Sequence, residues 1–196
     1  GLMRPDLTAQ AISLCQSLWA LLPEPEVGGL LSLMQLQEAR APSRQDADGA
    51  LVRLEEQNRA LWDHQVIASA CERLRECLGR APAGPYCLQA AIAACHAEAA
   101  TFEATPWAEI TGLYHALWQR EPSPVIALNH AVALSYWQGA KAGLAALAPL
   151  ATALSDYYLF FSAQAQLLER SGRALEAAEQ YRRALALAPS GPEQAF

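Results

Sequence analysis

A spacing that recurs four times constrains this chain more than any other feature it carries. A helix-packing residue is followed by a second three positions on and by a helix-ending position eight on. Near the end of the chain, in LLERSGRALEAAEQYRRALALAPSG, those places fall to Tyr181, Ala184 and Pro189, preceded by Ala177, and Gly172 separates two helical runs. Tyr114, Leu117 and Pro122 repeat the spacing, with Ile110 and Thr105 at the Ala177 and Gly172 places. These two copies stand 67 residues apart, about twice a 34-residue period. Between them Leu147 and Leu150 take the Tyr and Ala places after Gly139, although Gly143 and Pro149 weaken the second helix. Ala11, Cys15, Leu18 and Pro23 form a fourth echo.

This is the tetratricopeptide pattern, two antiparallel helices per unit, each burying its apolar face on its neighbours. No stretch alternates long enough for a strand, whereas ten segments place apolar residues at i, i+3, i+4 and i+7. The expected fold is all-α: an antiparallel helix-pair, tetratricopeptide-like superhelical solenoid of about ten helices. Proline and cap signals put helices at about 7–22, 25–39, 54–62, 63–78, 85–100, 105–119, 124–137, 140–150, 156–171 and 173–188. Residues 4–80 form an N-terminal helical part with an acidic DADG loop, and 81–196 the repeats, read as one continuous domain. The expectation for Tyr114 and Tyr181 is burial at equivalent places between helices. Alanine-rich stripes such as LQAAIAACHAEAA let helix axes approach closely.

Composition narrows the function. With 196 residues and 53% of them hydrophobic, the chain can bury a continuous core, and its net charge of −6 lacks a nucleic-acid binder's basic footprint. No apolar stretch reaches the roughly 18 residues a membrane span requires, and no signal-peptide pattern opens the chain. The expectation is a cytoplasmic protein without a membrane partner. Gly1-Leu2-Met3 looks partly like a cloning remnant, and a chain that enters a helix at Pro5 and Asp6 reads as a segment of something longer. Five cysteines, an odd number with no Cys-x-x-Cys pair, read as reduced core residues.

Chemistry-bearing groups are few. Carboxylates gather in a loop only at DADG, where Asp46, Asp48 and Gly49 are flanked by Arg44 and Glu55. As a calcium loop these would be positions three, five, six and twelve, but Arg44 would stand first and cannot ligate a cation. The plainer reading is an Asx turn with Gly49 at positive φ, paired with Arg40 or Arg44; the other is an interaction loop, since long loops in compact proteins tend to be functional. His64, His96, His115 and His130 have no ligand spacing, and adjacent Cys95 and His96 face about 100° apart on a helix, too far for a nucleophile and base. Gly28 and Gly29 precede no phosphate motif. No metal, no cofactor and no catalytic activity are expected. Trp62 follows the acidic loop closely and is placed to clamp it to the helices. A peptide-binding groove would be lined by Gln89, His96, Asn129 and His130, without the lysine that a carboxylate clamp favours.

The stretches RPDLTAQAISLCQSLWALLPEPEVGGLLSLMQLQEAR, DADGALVRLEEQNRALWD, GPYCLQAAIAACHAEA and PSPVIALNHAVALS, with the final repeat, resemble the C-terminal extension of a group of extracytoplasmic-function RNA polymerase sigma factors. The resemblance runs from Arg4 to Pro189, with neutral Gln45 and Gln57 where relatives carry charge. It implies a bacterial regulatory domain that controls transcription initiation by contacting sigma regions two and four of the same polypeptide or the polymerase core. Promoter DNA would be met only through those upstream regions. Of the family's features only the acidic loop maps here, to Asp46, Asp48 and Gly49, as a regulatory contact. The alternative is a free-standing tetratricopeptide adaptor for a partner protein or peptide.

Overall fold

The computed structural model describes residues 5–46 and 49–188. Among them are nine α-helices: α1 (Pro5–Leu21), α2 (Pro25–Glu38), α3 (His64–Arg80), α4 (Pro85–Glu98), α5 (Trp107–Arg120), α6 (Pro124–Gln138), α7 (Ala140–Leu147), α8 (Tyr158–Arg170) and α9 (Ala174–Leu187). No strand forms among these residues, and one isolated antiparallel bridge joins Gln45 to Leu51. The all-α expectation therefore holds. The helix expected over 54–62 does not form: 3-10 turns at Leu54–Glu56 and Arg59–Leu61 flank Gln57 and Asn58, whose backbones are extended. None of the described helices is long and apolar enough to cross a membrane.

The chain divides between Pro106 and Trp107 into two compact units, so the division falls inside the stretch read from sequence as repeats. In the first, α2 packs on α1, α3 and α4. Adjacent glycines make that possible. A Cβ on Gly28 would lie 2.4 Å from Cys77 Sγ, and one on Gly29 2.7 Å from Cys87 Sγ and 2.8 Å from the Cys87 nitrogen. Glu26 then caps the neighbouring helix: its carboxylate accepts from Tyr86 N at 2.8 Å and Cys87 N at 3.2 Å, two of the unpaired donors at the start of α4.

The second unit is a run of helices in which α5 packs on α6, α6 on α7, α7 on α8 and α8 on α9. Gly172 makes the last turn with φ of +74°. The repeated spacing fills the interior, because Ile110, Leu117, Leu147, Ala177 and Ala184 are all buried. Tyr181 departs from that register and is 38% exposed, its hydroxyl 3.1 Å from Glu169 Oε2. Its polar tip is satisfied at the surface, while alanines on the same helix face take the interior. Gly143, which looked like a weakness, is a close contact: a Cβ there would meet Ser135 Cβ at 2.5 Å. Arg170 reaches across to Ser135, donating to its Oγ and carbonyl at 3.1 Å, and lies 4.2 Å from the centre of the Tyr136 ring, which stacks on Trp107.

Candidate functional site

Between α2 and α3, from Ala39 to Asp63, the described residues form no α-helix but three short 3-10 turns, and this strap gathers most of the unusual chemistry of the first unit. Its ends are closed by a backbone bond from Asp63 N to Ala39 O at 3.0 Å, and Asp63 then caps α3 by accepting from Gln65 N and Val66 N. At its far end the chain reverses in a short hairpin. Asp46 N donates to Ala50 O, Ala50 N returns to Asp46 Oδ1 at 2.9 Å, and Gly49 supplies the turn at φ of +83°. Asp46 and Gly49 are exposed. Asp48, the second carboxylate singled out in the sequence, lies outside the described residues.

Trp62 is the strap's anchor. It is 4% exposed, packed with Leu36, Ala39 and Ile67, and its Nε1 donates to Ser43 Oγ at 2.7 Å. The Ser43 hydroxyl donates in turn to Arg40 O at 3.0 Å, with Gln57 Oε1 at 3.4 Å as a second acceptor. Gln57 also accepts from Arg40 Nη2 at 3.3 Å and donates to Val52 O at 3.1 Å. A neutral amide at position 57 can serve as acceptor and donor at once, which a carboxylate could not.

Two guanidiniums share the Trp62 ring: the Arg40 carbon is 5.2 Å from the ring centre and the Arg59 carbon 4.5 Å. Arg40 is only 8% exposed, and burial followed by the fields of Arg44 and Arg59 pulls its pKa down to about 10. Arg59 donates to His96 O at 2.7 Å and Ala99 O at 2.8 Å, capping the C-terminal carbonyls of α4. Burial and then the two arginines push His96 down to about 4, so its ring is neutral at pH 7. Arg44 turns to Gln37, donating to its carbonyl at 2.9 Å and to its side-chain oxygen.

The sequence-derived groove residues fall in different units. Gln89 and His96 lie on α4, half-buried, whereas Asn129 is exposed and His130 half-buried on α6, where His130 and His115 have ring centres 6.2 Å apart. Burial raises the thiols of Cys15, Cys71, Cys77 and Cys87, with Cys71 at about 11 and Cys87 at about 12, far from thiolate character at pH 7. Among the described residues no three His, Cys, Asp or Glu side chains gather as a metal site. Sequence reasoning missed Arg40, Ser43, Gln57 and Arg59 as a cluster. The signal available was an arginine at each end of a polar segment that closes on one tryptophan.

Residues 1–78 match the model of a family of unknown function (DUF6596). "Uncharacterized protein R00370" of Rhizobium meliloti (strain 1021) is 45% identical to this chain over 192 residues, which are 97% of this chain and 45% of that protein. The chain thus spans less than half the length of this relative.

Proposed function

We propose that this chain is a tetratricopeptide-like regulatory domain of a bacterial extracytoplasmic-function sigma factor, working by protein contact with sigma regions two and four or with the polymerase core. The observation that carries this reading is the strap: a long connection without an α-helix among the described residues, pinned at Trp62 and Ser43, with an exposed, carboxylate-bearing hairpin at its tip. Rigid scaffolds that hold out a polar loop suit recognition. The burial of Ile110, Leu117, Ala177 and Ala184 at matching places supports the helix-pair repeat, and the greater length of the Rhizobium relative supports a multi-domain setting. So does an apolar stripe on α1 that nothing covers among the described residues, where Leu14 is 72% and Leu21 85% exposed.

In this reading the domain biases an equilibrium between promoter-competent and incompetent sigma. Turning such an equilibrium from mostly one state to mostly the other takes about 5.5 kcal/mol of differential contact, within reach of an interface of about 1,600 Å². The test is transcription in vitro by core polymerase and the full-length protein, with Asp46 and Asp48 both changed to alanine. Altered promoter-directed output from a variant that remains folded is expected. Unchanged output, or a coding sequence upstream of Gly1 without regions two and four, removes the sigma reading.

A further inference from the structure

The Arg40 and Arg59 side chains are partnered in an unusual way for buried cations. A guanidinium taken out of water is costly unless a carboxylate or several acceptors replace the lost hydration. Among the described residues Arg40 donates one side-chain hydrogen bond, at 3.3 Å to a neutral amide, and its buried Nε finds no acceptor. Arg59 is satisfied through Nη1 by two carbonyls, yet its buried Nη2 has no acceptor among the described residues. None of the ion pairs among the described residues includes Arg40, Arg44 or Arg59. Glu103 is the carboxylate whose field reaches Arg59, without coming within ion-pair distance. In a chain of net charge −6, two arginines therefore lie over one tryptophan with no carboxylate in ion-pair contact among the described residues.

We infer that Arg40 and Arg59, held on the Trp62 ring, form an acceptor site for a carboxylate supplied from outside the described fold, by a free organic acid or an acidic side chain of a polypeptide. Guanidinium donors suit this ligand because their N–H fork matches the two carboxylate oxygens. Arg59 is half-buried with its unpaired Nη2 turned inward, and Arg40 is the deeper charge that an entering carboxylate would neutralise. The surrounding fixed groups favour it too: His96 is neutral and Gln57 can rotate its amide from acceptor toward donor. This goes beyond the sigma reading and stands without it, since it concerns only what the cluster binds.

The test follows the Arg40 Nε–H and Trp62 Nε1–H resonances of the 196-residue chain at constant ionic strength, with sodium chloride as reference. The probes are glutarate, an end-blocked hexaglutamate peptide and inorganic phosphate. Saturable shifts of both resonances with glutarate, the peptide or both support the site, and the arm that saturates identifies the source. Arg40→Met removes the buried charge while filling its volume, so it should fold at least as stably and bind at least ten-fold more weakly. Shifts that chloride reproduces, shifts unchanged in Arg40→Met, or a response to phosphate alone would overturn the assignment. Failure here leaves the transcription experiment untouched, and the reverse is equally true.

Discussion

The strap from Ala39 to Asp63 and the helical run from Tyr158 to Leu187 are held by opposite means. The run is fixed by its backbone and by apolar contacts of every size: Phe160, Ala165, Leu167, Ala177 and Ala184 are buried, one glycine makes the turn, and its ion pairs, such as Arg173 with Glu176, are exposed. The strap's backbone bonds make only short 3-10 turns, a hairpin and the closing Asp63–Ala39 bond, and side chains hold these pieces together, with Ser43, Gln57 and Arg59 each serving backbone groups or one another. Order in the run is spread over many weak contacts, whereas order in the strap is concentrated on one indole. The two should therefore fail differently when a single side chain is removed.

The largest effect is expected at Trp62. Trp62→Ala deletes a buried aromatic, the partner of Ser43 and the ring beneath two guanidiniums, and should cost about 3 to 5 kcal/mol. Tyr181→Ala in the run, at a position 38% exposed, should cost about 1 kcal/mol. Urea denaturation of both variants measures the difference, and equal losses would break the comparison.

A similar contrast tests close packing. Gly29→Ala must move the Cys87 backbone, because the new carbon would sit 2.8 Å from its nitrogen, and should cost about 3 kcal/mol. Thermal melts that show no loss would mean α2 and α4 separate easily at this point.

Acid should reach the strap before the run. His96 titrates at 6.5 when unfolded and at about 4 when folded, because burial and the two arginines oppose its charge. Between those values the unfolded chain binds more protons, so stability is fully present above pH 6.5 and is lost progressively toward pH 4. The loss should be on the order of 2 to 3 kcal/mol. His96→Gln should lose visibly less between pH 7 and pH 4.5 in urea titrations than the unaltered chain. Identical acid profiles would show that the charge on this ring is not opposed.

The same contrast explains what could be read from the sequence. Helices α5 to α9 were legible because each repeats a local period, and Ile110, Leu117, Ala177 and Ala184 fall where that period puts them. The segment Leu54–Trp62 carries leucines at positions that suggest a helix, but Gln57 spends its amide on Val52, Arg40 and Ser43, which requires an extended backbone there. Such long-range partners leave no local signature. Trp62 could be singled out, as a large aromatic after a polar loop, while Arg40 could be read only as a partner for the loop carboxylates, because arginine is ordinarily a surface residue and its burial on Trp62 has no local sign. Tyr181 misled for the converse reason: spacing identifies the face of a helix, and the degree of burial on that face depends on what packs against it.

The smallest effect separates spacing from packing most cleanly. Gly112 lies within α5 and is exposed, and a Cβ there would meet nothing within 4 Å among the described residues. Glycine in a helix interior costs about 0.5 to 1 kcal/mol relative to alanine, through the greater freedom it gives the unfolded chain. Gly112→Ala should therefore stabilise by about that amount, opposite in sign to Gly29→Ala although both replace a helical glycine by the same residue. The urea midpoint reads the sign directly. A loss at Gly112 would mean that another surface occupies the space beside α5 in solution, and the contrast between a glycine required by packing and one merely tolerated would no longer hold.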